Sequence, residues 1–256
     1  MAGHQYAALW SGSAASIVNL NPANASTSVA YGVSGNQQVG AVGLPGGNHA
    51  ALWSGSAASW IDLNSSTTSG STAYAIGNGE QVGSATVGGN DHASLWSGTA
   101  SSWVDLNPMD ATSSVAKGIG GGLESGYAEF GGATHAGIWS GSAASWIDLN
   151  PAGATSSLVF GAYGNLQAGW ANIGGAEHAG IWSGSAASWL DLQAFLPSGY
   201  FGSEAQGVWT DGATTYVVGG AFIGTHEEAI MWTIPSAPGA VAMAAGMAML
   251  ARRRRP

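Results

Sequence analysis

Short runs of apolar and small residues alternate with turn-forming segments along most of the chain. Most of these runs are only a few residues long, and none carries apolar residues at the spacing of a helical face. Gly, Ser, Asn and Pro separate the runs, as they do between antiparallel strands. The pattern therefore predicts an all-β protein built from many short strands.

Tryptophan marks a repeat with a period of 43 residues. One Trp recurs at that step four times and then after 50 residues, at Trp10, Trp53, Trp96, Trp139, Trp182 and Trp232. A second Trp follows seven residues later in four copies, at Trp60, Trp103, Trp146 and Trp189. Segments 49–64 and 135–150 are identical at 14 of 16 positions. A fixed period of this length indicates a repeat architecture.

Each period contains four strand-like runs, which we call runs A to D in chain order. In the first full copy they are 28–33, 37–40, 49–53 and 59–63, and run B ends at a Gly in every copy. Four antiparallel strands in about 43 residues are the size of one β-propeller blade. We therefore expect a β-propeller of four-stranded antiparallel blades over residues 1–234, with a β-solenoid as the alternative.

The count of runs bears on the number of blades. The chain begins with an extra run C at 4–10, and no run D follows Trp232. We expect run D of the first copy, residues 17–20, to close the last blade, because ring closure protects the edges of the sheets. This gives five blades, and a sixth, incomplete blade is the alternative.

Residues 235–256 differ from the repeats and form a separate segment. Pro235 and Pro238 precede an apolar run over 239–251, which four basic residues follow, Arg252, Arg253, Arg254 and Arg255. Thirteen helical residues span about 20 Å, less than the ~30 Å hydrocarbon core of a bilayer. We expect an apolar helix that contacts the inner membrane only transiently, with the Arg cluster on the cytoplasmic side.

Charge and composition narrow the classes of function. Only 7% of residues are charged, the net charge is −9, and Lys117 is the single basic residue outside the Arg cluster. A nucleic-acid-binding protein needs a basic surface, so nucleic acid is excluded as a partner. The chain has no Cys, which excludes disulfides and thiolate chemistry. An acidic, Lys-poor and Ser- and Gly-rich composition is typical of exported bacterial surface proteins.

The motif H-A-x-[LI]-W, then D-L, then a run ending in Q-V-G, recurs along 1–234. It is carried by residues 49–53, Asp62-Leu63 and 81–83, with counterparts in other copies. In these residues the chain resembles the HAF repeat of bacterial extracellular proteins. It departs from that repeat where a small residue replaces the usual Phe, at Ala51, Ser94, Gly137 and Gly180. This resemblance implies an exported repeat protein and carries no established activity.

The C-terminal segment is similar to the PEP-CTERM sorting signal, with residues 235–238 (Pro-Ser-Ala-Pro) in place of its Pro-Glu-Pro core. This resemblance implies surface sorting by an exosortase-like protease. Export also requires an N-terminal signal, and residues 1–20 contain neither a basic nor an apolar signal region. We therefore expect the natural N-terminus to lie upstream of Met1.

A repeated His stands at the start of run C, four residues before its Trp, and could be read as a metal ligand. The four copies are His49, His92, His135 and His178, and a repeated Asp stands 13 residues after each, at Asp62, Asp105, Asp148 and Asp191. Because copies in different blades lie far apart, we expect a structural His–Asp hydrogen bond within each blade. The acids outside the repeat pattern form no spaced calcium-binding loop. No metal and no cofactor are expected.

Binding sites in repeat proteins lie where the copies differ. One position of run A varies, and by strand alternation its copies share one facing, at Tyr31, Tyr74, Lys117, Phe160 and Gln206. Aromatic residues outside the repeat pattern form a second candidate set, which includes Trp170 and Trp209. Either set could bind a sugar or a peptide, and either could be ordinary packing. A glycan-binding surface requires exposed, coplanar aromatic rings, which burial of Tyr31, Tyr74 and Phe160 would rule out.

No catalytic residues are expected. Propeller glycosidases place carboxylates on the innermost strand, and Glu204 is the one acid in run A. The sequence thus predicts a non-catalytic, exported scaffold or adhesive protein of the cell surface or extracellular matrix. A glycan-binding module and a carbohydrate-active propeller enzyme are the alternatives, and a carboxylate pair meeting at the axial mouth of the propeller would favour the enzyme.

Overall fold

Antiparallel sheets that follow one another along the chain make up the fold. The computed structural model describes residues 4–235 and 246–247. Within these residues there are five four-stranded sheets and one two-stranded sheet. In each four-stranded sheet the strands lie side by side in chain order. In the first four of these sheets the strands correspond to runs A to D of one copy. The prediction of an all-β fold with four-stranded antiparallel sheets is confirmed.

The strands have the following bounds. The two-stranded sheet pairs β1 (Ala8–Leu9) with β2 (Val18–Asn19). The next sheets hold β3 (Thr27–Ser34), β4 (Gln37–Leu44), β5 (Gly47–Trp53) and β6 (Ile61–Asp62), then β7 (Ser71–Gly77), β8 (Glu80–Val87), β9 (Asn90–Trp96) and β10 (Val104–Asp105). The third contains β11 (Ser113–Gly120), β12 (Leu123–Phe130), β13 (Ala133–Trp139) and β14 (Ile147–Asp148). The last two contain β15 (Ser157–Tyr163), β16 (Leu166–Ile173), β17 (Ala176–Trp182) and β18 (Leu190–Asp191), then β19 (Tyr200–Thr210), β20 (Thr214–Ile223), β21 (His226–Pro235) and β22 (Gly246–Met247).

Among the described residues, the helical content consists of single 3₁₀ turns. Five of them link run C to run D, at Ala14–Ser16, Ala57–Ser59, Ala100–Ser102, Ala143–Ser145 and Ala186–Ser188, and a sixth is Gln193–Phe195. In the part of the chain that the structure describes, no helix has the length and apolar character needed to span a bilayer.

The chain divides into two compact units, and the boundary runs through the third four-stranded sheet. The first unit comprises residues 1–124, 128–132 and 139–146, and the second comprises 125–127, 133–138 and 147–256. In the first unit, β7 packs against the sheet of β3 to β6, and β11 packs against the sheet of β7 to β10. In the second unit, β19 packs against the sheet of β15 to β18.

The core between successive sheets joins a Leu of one repeat to a Trp of the next. Leu20 clusters with Trp53, and Leu63 clusters with Trp96. The first Trp of the repeat is fully buried in four copies, whereas Trp10 of the two-stranded sheet is 56% exposed. The repeated Trp therefore serves core packing wherever a complete sheet is present.

The expectation that residues 17–20 close the last sheet is wrong. Val18 and Asn19 pair instead with Leu9 and Ala8 of the same copy. The two strands are joined by a short connection, so this local pairing has a lower loop-closure cost than pairing with a strand more than 200 residues away. The last sheet has its own fourth strand, β22, which pairs with Trp232 and Thr233.

The expected apolar helix over 239–251 lies mostly outside the described residues. Gly246 and Met247, which are described, form strand β22, and the helix prediction is wrong for these two residues. Pro235 lies at the end of β21, where its backbone pairs with Thr214. Pro238, Arg252, Arg253, Arg254 and Arg255 lie outside the described residues.

Candidate functional site

The variable position of run A lies in a β-bulge. The register between runs A and B shifts across Tyr31, Tyr74, Phe160 and Gln206, so each of these residues has no direct partner on run B. A bulge inserts one extra residue into a strand and redirects its side chain. The variable residue of run A is therefore the residue that the hydrogen bonds between runs A and B constrain least.

The glycine that ends run B in each copy lies where the backbones of runs A and B approach closely beside this bulge. A Cβ on Gly40 would overlap the carbonyl oxygen of Val29, and a Cβ on Gly83 would overlap that of Thr72. Gly169 and Gly219 meet the carbonyl oxygens of Leu158 and Glu204 in the same way. Only glycine lets the two backbones approach this closely, so it recurs in each copy.

In the first unit the variable run A residues of three successive sheets form a continuous row. The rings of Tyr31 and Tyr74 lie with their centroids 5.4 Å apart and tilted by 48°. The Lys117 ammonium lies 3.7 Å from the centroid of the Tyr74 ring, in the geometry of a cation–π contact. Tyr31 is 53% exposed, whereas Tyr74 and Lys117 are half-buried. We call these three residues the aromatic row.

Burial shapes the ionisation of this row. It raises the pKa of the Tyr74 hydroxyl, and the neighbouring Tyr31 and Asp91 raise it further. Burial lowers the pKa of the Lys117 ammonium, while the negative charge of Asp91 acts in the opposite direction. Tyr74 is therefore the neutral centre of a small group that carries one negative and one positive charge.

A polar cavity of about 300 Å³ opens beside Tyr74. It lies where the start of β5 faces the sheet of β7 to β10, and Tyr74 supplies its one aromatic wall. The other lining residues are Gly47, Asn48, Ser69, Gly70, Ser71, Thr72, Ser84, Thr86 and Asp91. Residues with hydroxyl, amide and carboxylate groups thus line a solvent-open depression next to the aromatic row.

The candidate residues of the second unit do not form such a row. Phe160 is half-buried and Gln206 is exposed, and the backbone of Gly161 approaches the Gln206 carbonyl oxygen. Trp170 is half-buried on β16. Trp209 is 49% exposed and stacks on Tyr216 with ring centroids 5.5 Å apart. Trp209 is therefore the one exposed aromatic residue among the predicted ligand-binding residues of this unit.

The expected His–Asp pairs are present in four repeats. Nδ1 of His49, His92, His135 and His178 lies 2.7 to 2.9 Å from a carboxylate oxygen of the Asp 13 residues later. Among the described residues, no group of three or more His, Cys, Asp and Glu side chains is placed to hold a metal ion.

These pairs are the start of a longer repeated network. In one copy, the other carboxylate oxygen of Asp62 accepts the Asn64 N–H, and the Asn64 side chain accepts the Ser71 hydroxyl. Ser71 Oγ in turn accepts the Ala50 N–H at 2.9 Å. Because Ser71 belongs to the next sheet, the network ties one sheet to its neighbour.

Three acids of the second unit interact through their charges. Burial raises the pKa of the Glu204 carboxyl, and the nearby charges of Glu177 and Glu227 raise it further. The Glu227 carboxylate lies against Gly220, which is the register partner of Glu204. Glu177 is half-buried and Glu227 is exposed, so this group faces solvent in part.

Sequence reasoning missed most of the lining of the cavity. Asn48 and the segment 69–72 are turn and strand-edge residues with no distinctive chemistry of their own. One signal was available, because the residue before each repeated His varies as Asn48, Asp91, Thr134 and Glu177. Comparison with known proteins adds nothing to this picture: no family model and no curated protein matches the chain.

Proposed function

We propose that this chain is a non-catalytic repeat protein that is exported and acts as a structural or adhesive scaffold at the cell surface or in the extracellular matrix. The observation that carries the proposal is the use of its repeated polar residues. His49, Asp62, Asn64 and Ser71 bond to one another and to the backbone, so they are engaged in holding sheets together. Repeated side chains that maintain architecture are what a scaffold requires.

The finer architecture in this proposal is a β-propeller with five four-stranded blades. Within each unit, the first strand of a sheet packs against the sheet before it, as inner strands of neighbouring blades do. The core Leu and Trp that join successive sheets, such as Leu63 and Trp96, support the same arrangement. The two-stranded sheet of β1 and β2 is the remnant of an additional blade in this scheme.

Export and sorting rest on the C-terminal segment. In this proposal an exosortase-like protease recognises 235–256, the apolar run contacts the inner membrane transiently, and Arg252 to Arg255 stay cytoplasmic. The support is the order of a Pro-containing segment, an apolar run and an Arg cluster.

The experiment that tests this role is the intact mass and both terminal sequences of the protein from its native cells, fraction by fraction. We expect a surface or extracellular form that is cut near residues 235–239 and lacks Arg252 to Arg255. A cytosolic form that retains Arg252 to Arg255 would overturn export and sorting together.

A glycan-binding module is the second candidate function, and the aromatic row favours it. Tyr31 is exposed and continues into Tyr74, which borders a polar cavity. The 48° tilt between the rings departs from a coplanar platform, so a sugar could stack on one ring at a time. Binding of envelope or matrix glycans would be compatible with an adhesive scaffold.

The absence of catalysis is part of the proposal, and the Glu204 group is where it can be challenged. A carbohydrate-active enzyme needs two carboxylates with separated roles, and Glu204 has neighbours in Glu177 and Glu227. We expect no hydrolysis of chromogenic glycosides by the full chain. Hydrolysis that the variant Glu204→Gln abolishes would replace the scaffold proposal by the enzyme.

A further inference from the structure

The cavity beside Tyr74 has the chemistry of a site for a hydroxyl-rich ligand. Its lining offers the hydroxyls of Ser69, Thr72 and Thr86, the side-chain amide of Asn48 and the carboxylate of Asp91. An apolar ligand would leave these groups without hydrogen bonds, at a cost in free energy for each. A ligand with several groups that both donate and accept would satisfy them.

The size of the cavity fits one ring of a larger ligand. A volume of about 300 Å³ is at the lower end of the range for small-molecule sites, and the cavity is open to solvent. Tyr74 is the one aromatic residue of the lining, and its ring also contacts Lys117 and Tyr31. A sugar ring combines hydroxyls with C–H groups, so it can meet both the polar groups of the lining and the side of Tyr74 that lines the cavity.

Charge argues for an uncharged ligand. The chain carries a net charge of −9, and the Asp91 carboxylate lines the cavity, so an acidic sugar would be repelled. The charge of Lys117 is already opposed by Asp91 and lies over the Tyr74 ring. One oxygen of Asp91 accepts the Thr86 hydroxyl at 3.3 Å, which orients the carboxylate at the rim of the cavity.

We propose that this cavity binds one uncharged sugar ring of a glycan chain. In this site Asp91 accepts hydrogen bonds from adjacent sugar hydroxyls, and the ring packs against Tyr74. The exposed ring of Tyr31 lies beside Tyr74 and contacts the next sugar of the chain. The inference deepens the glycan-binding alternative and rests on it, while the scaffold role and export do not depend on it.

The test is a binding measurement on the full chain with defined probes. Methyl glycosides of glucose, galactose and mannose, and the disaccharides cellobiose, lactose and mannobiose, are titrated by saturation-transfer NMR and calorimetry. We expect saturable binding of at least one methyl glycoside and tighter binding of its disaccharide. A hydrogen bond to a charged group contributes about 1.5–3 kcal/mol, so Asp91→Ala should weaken binding about tenfold or more.

Matched variants separate the site from general effects on the fold. Glu129→Ala removes an acid of the same unit that lies outside the cavity lining. It should leave sugar binding unchanged. Tyr31→Ala should weaken binding of the disaccharide and leave binding of the methyl glycoside unchanged.

Two results would overturn the inference. One is the absence of saturable binding of every probe by the intact chain. The other is sugar binding that survives Asp91→Ala with unchanged affinity while the thermal unfolding midpoint of that variant equals the parent's. Neither result bears on the terminal sequences that test export, so a failure of the sugar site and a failure of the scaffold proposal are distinguishable.

Discussion

The second Trp of each repeat lies over a position that holds only small residues. A Cβ on Gly180 would overlap the ring of Trp189, and Ser94 Oγ accepts the Nε1–H of Trp103 at 2.9 Å. At Gly180 and Ser94 the run D Trp therefore occupies the space that a larger side chain would fill, which is the physical reason for small residues at these two positions.

The same position offers a stabilising substitution. Nε1 of Trp60 is buried without a hydrogen-bond partner, and Ala51 stands where Ser94 serves Trp103. We expect Ala51→Ser to raise the free energy of unfolding by about 1 kcal/mol, because it supplies the missing acceptor. The reverse change, Ser94→Ala, should lower it by about the same amount. Urea unfolding measures both, and a destabilising Ala51→Ser would contradict the assignment.

A buried acid, Glu124, stands in the third repeat where three other copies have Gln. Gln38, Gln81 and Gln167 accept a Gly N–H and donate to a backbone carbonyl. Glu124 accepts the Gly141 N–H but, once ionised, donates nothing, and burial raises its pKa. The charged carboxylate is therefore an unfavourable occupant of this position.

The pH dependence of the free energy of unfolding should reveal the buried charge of Glu124. Because the pKa of Glu124 is raised in the folded state, the folded chain binds the proton of this carboxyl more tightly than the unfolded chain does. The contribution of Glu124 to the free energy of unfolding therefore falls as pH rises through the folded pKa. We expect Glu124→Gln to stabilise the chain by about 1 kcal/mol at pH 8 and by much less at pH 4. The opposite change at the equivalent position, Gln81→Glu, should destabilise at pH 8. Equal effects of Glu124→Gln at the two pH values would argue against a buried charge.

At the scale of the strand, the bulge and its glycine form one unit. The bulge directs a variable side chain away from the ladder, and the facing glycine accommodates the displaced backbone. The repeat can thus change chemistry at Tyr31, Tyr74 or Lys117 without altering the sheet. This separation of framework and variable residue is why the copies differ there.

The glycine requirement can be measured within one hairpin. A Cβ on Gly219 would overlap the Glu204 carbonyl oxygen, whereas a Cβ on Gly207 would make only an ordinary contact, at 3.6 Å from Val218. We expect Gly219→Ala to lower the free energy of unfolding by about 1–3 kcal/mol or more, as overpacking does. Gly207→Ala should change it by less than about 0.5 kcal/mol. Similar denaturation midpoints for the two variants would show that the backbones separate at little cost.

At the scale of the molecule, the proposed ring of sheets can be tested by shortening the chain by one repeat. A closed propeller depends on a fixed number of blades, whereas an open array of repeats loses stability in proportion to what is removed. The period of 43 residues allows a clean deletion, because removal of 65–107 joins Asn64 to Pro108 and restores the natural Asn-Pro junction.

This deletion tests the five-blade proposal. If the ring is closed, the shortened chain should lose its single cooperative transition or unfold roughly 10 °C or more below the parent in a thermal scan. A shortened chain that unfolds cooperatively at a midpoint close to the parent's would favour an open array.

The repeat by itself determined the all-β class, the four strands of the first four four-stranded sheets and the His–Asp pairing. These features are copied in each period and depend on local turns and alternation, so a single sequence reveals them. Only the tertiary structure decided the pairing of β2 with β1, the contact of Lys117 with Tyr74 and the cavity that Asp91 lines. The last two depend on groups from different sheets, and the pairing of β2 depends on the competition between a neighbouring strand and a distant one. The repeat pattern carries no information about contacts between sheets or about this competition between strands.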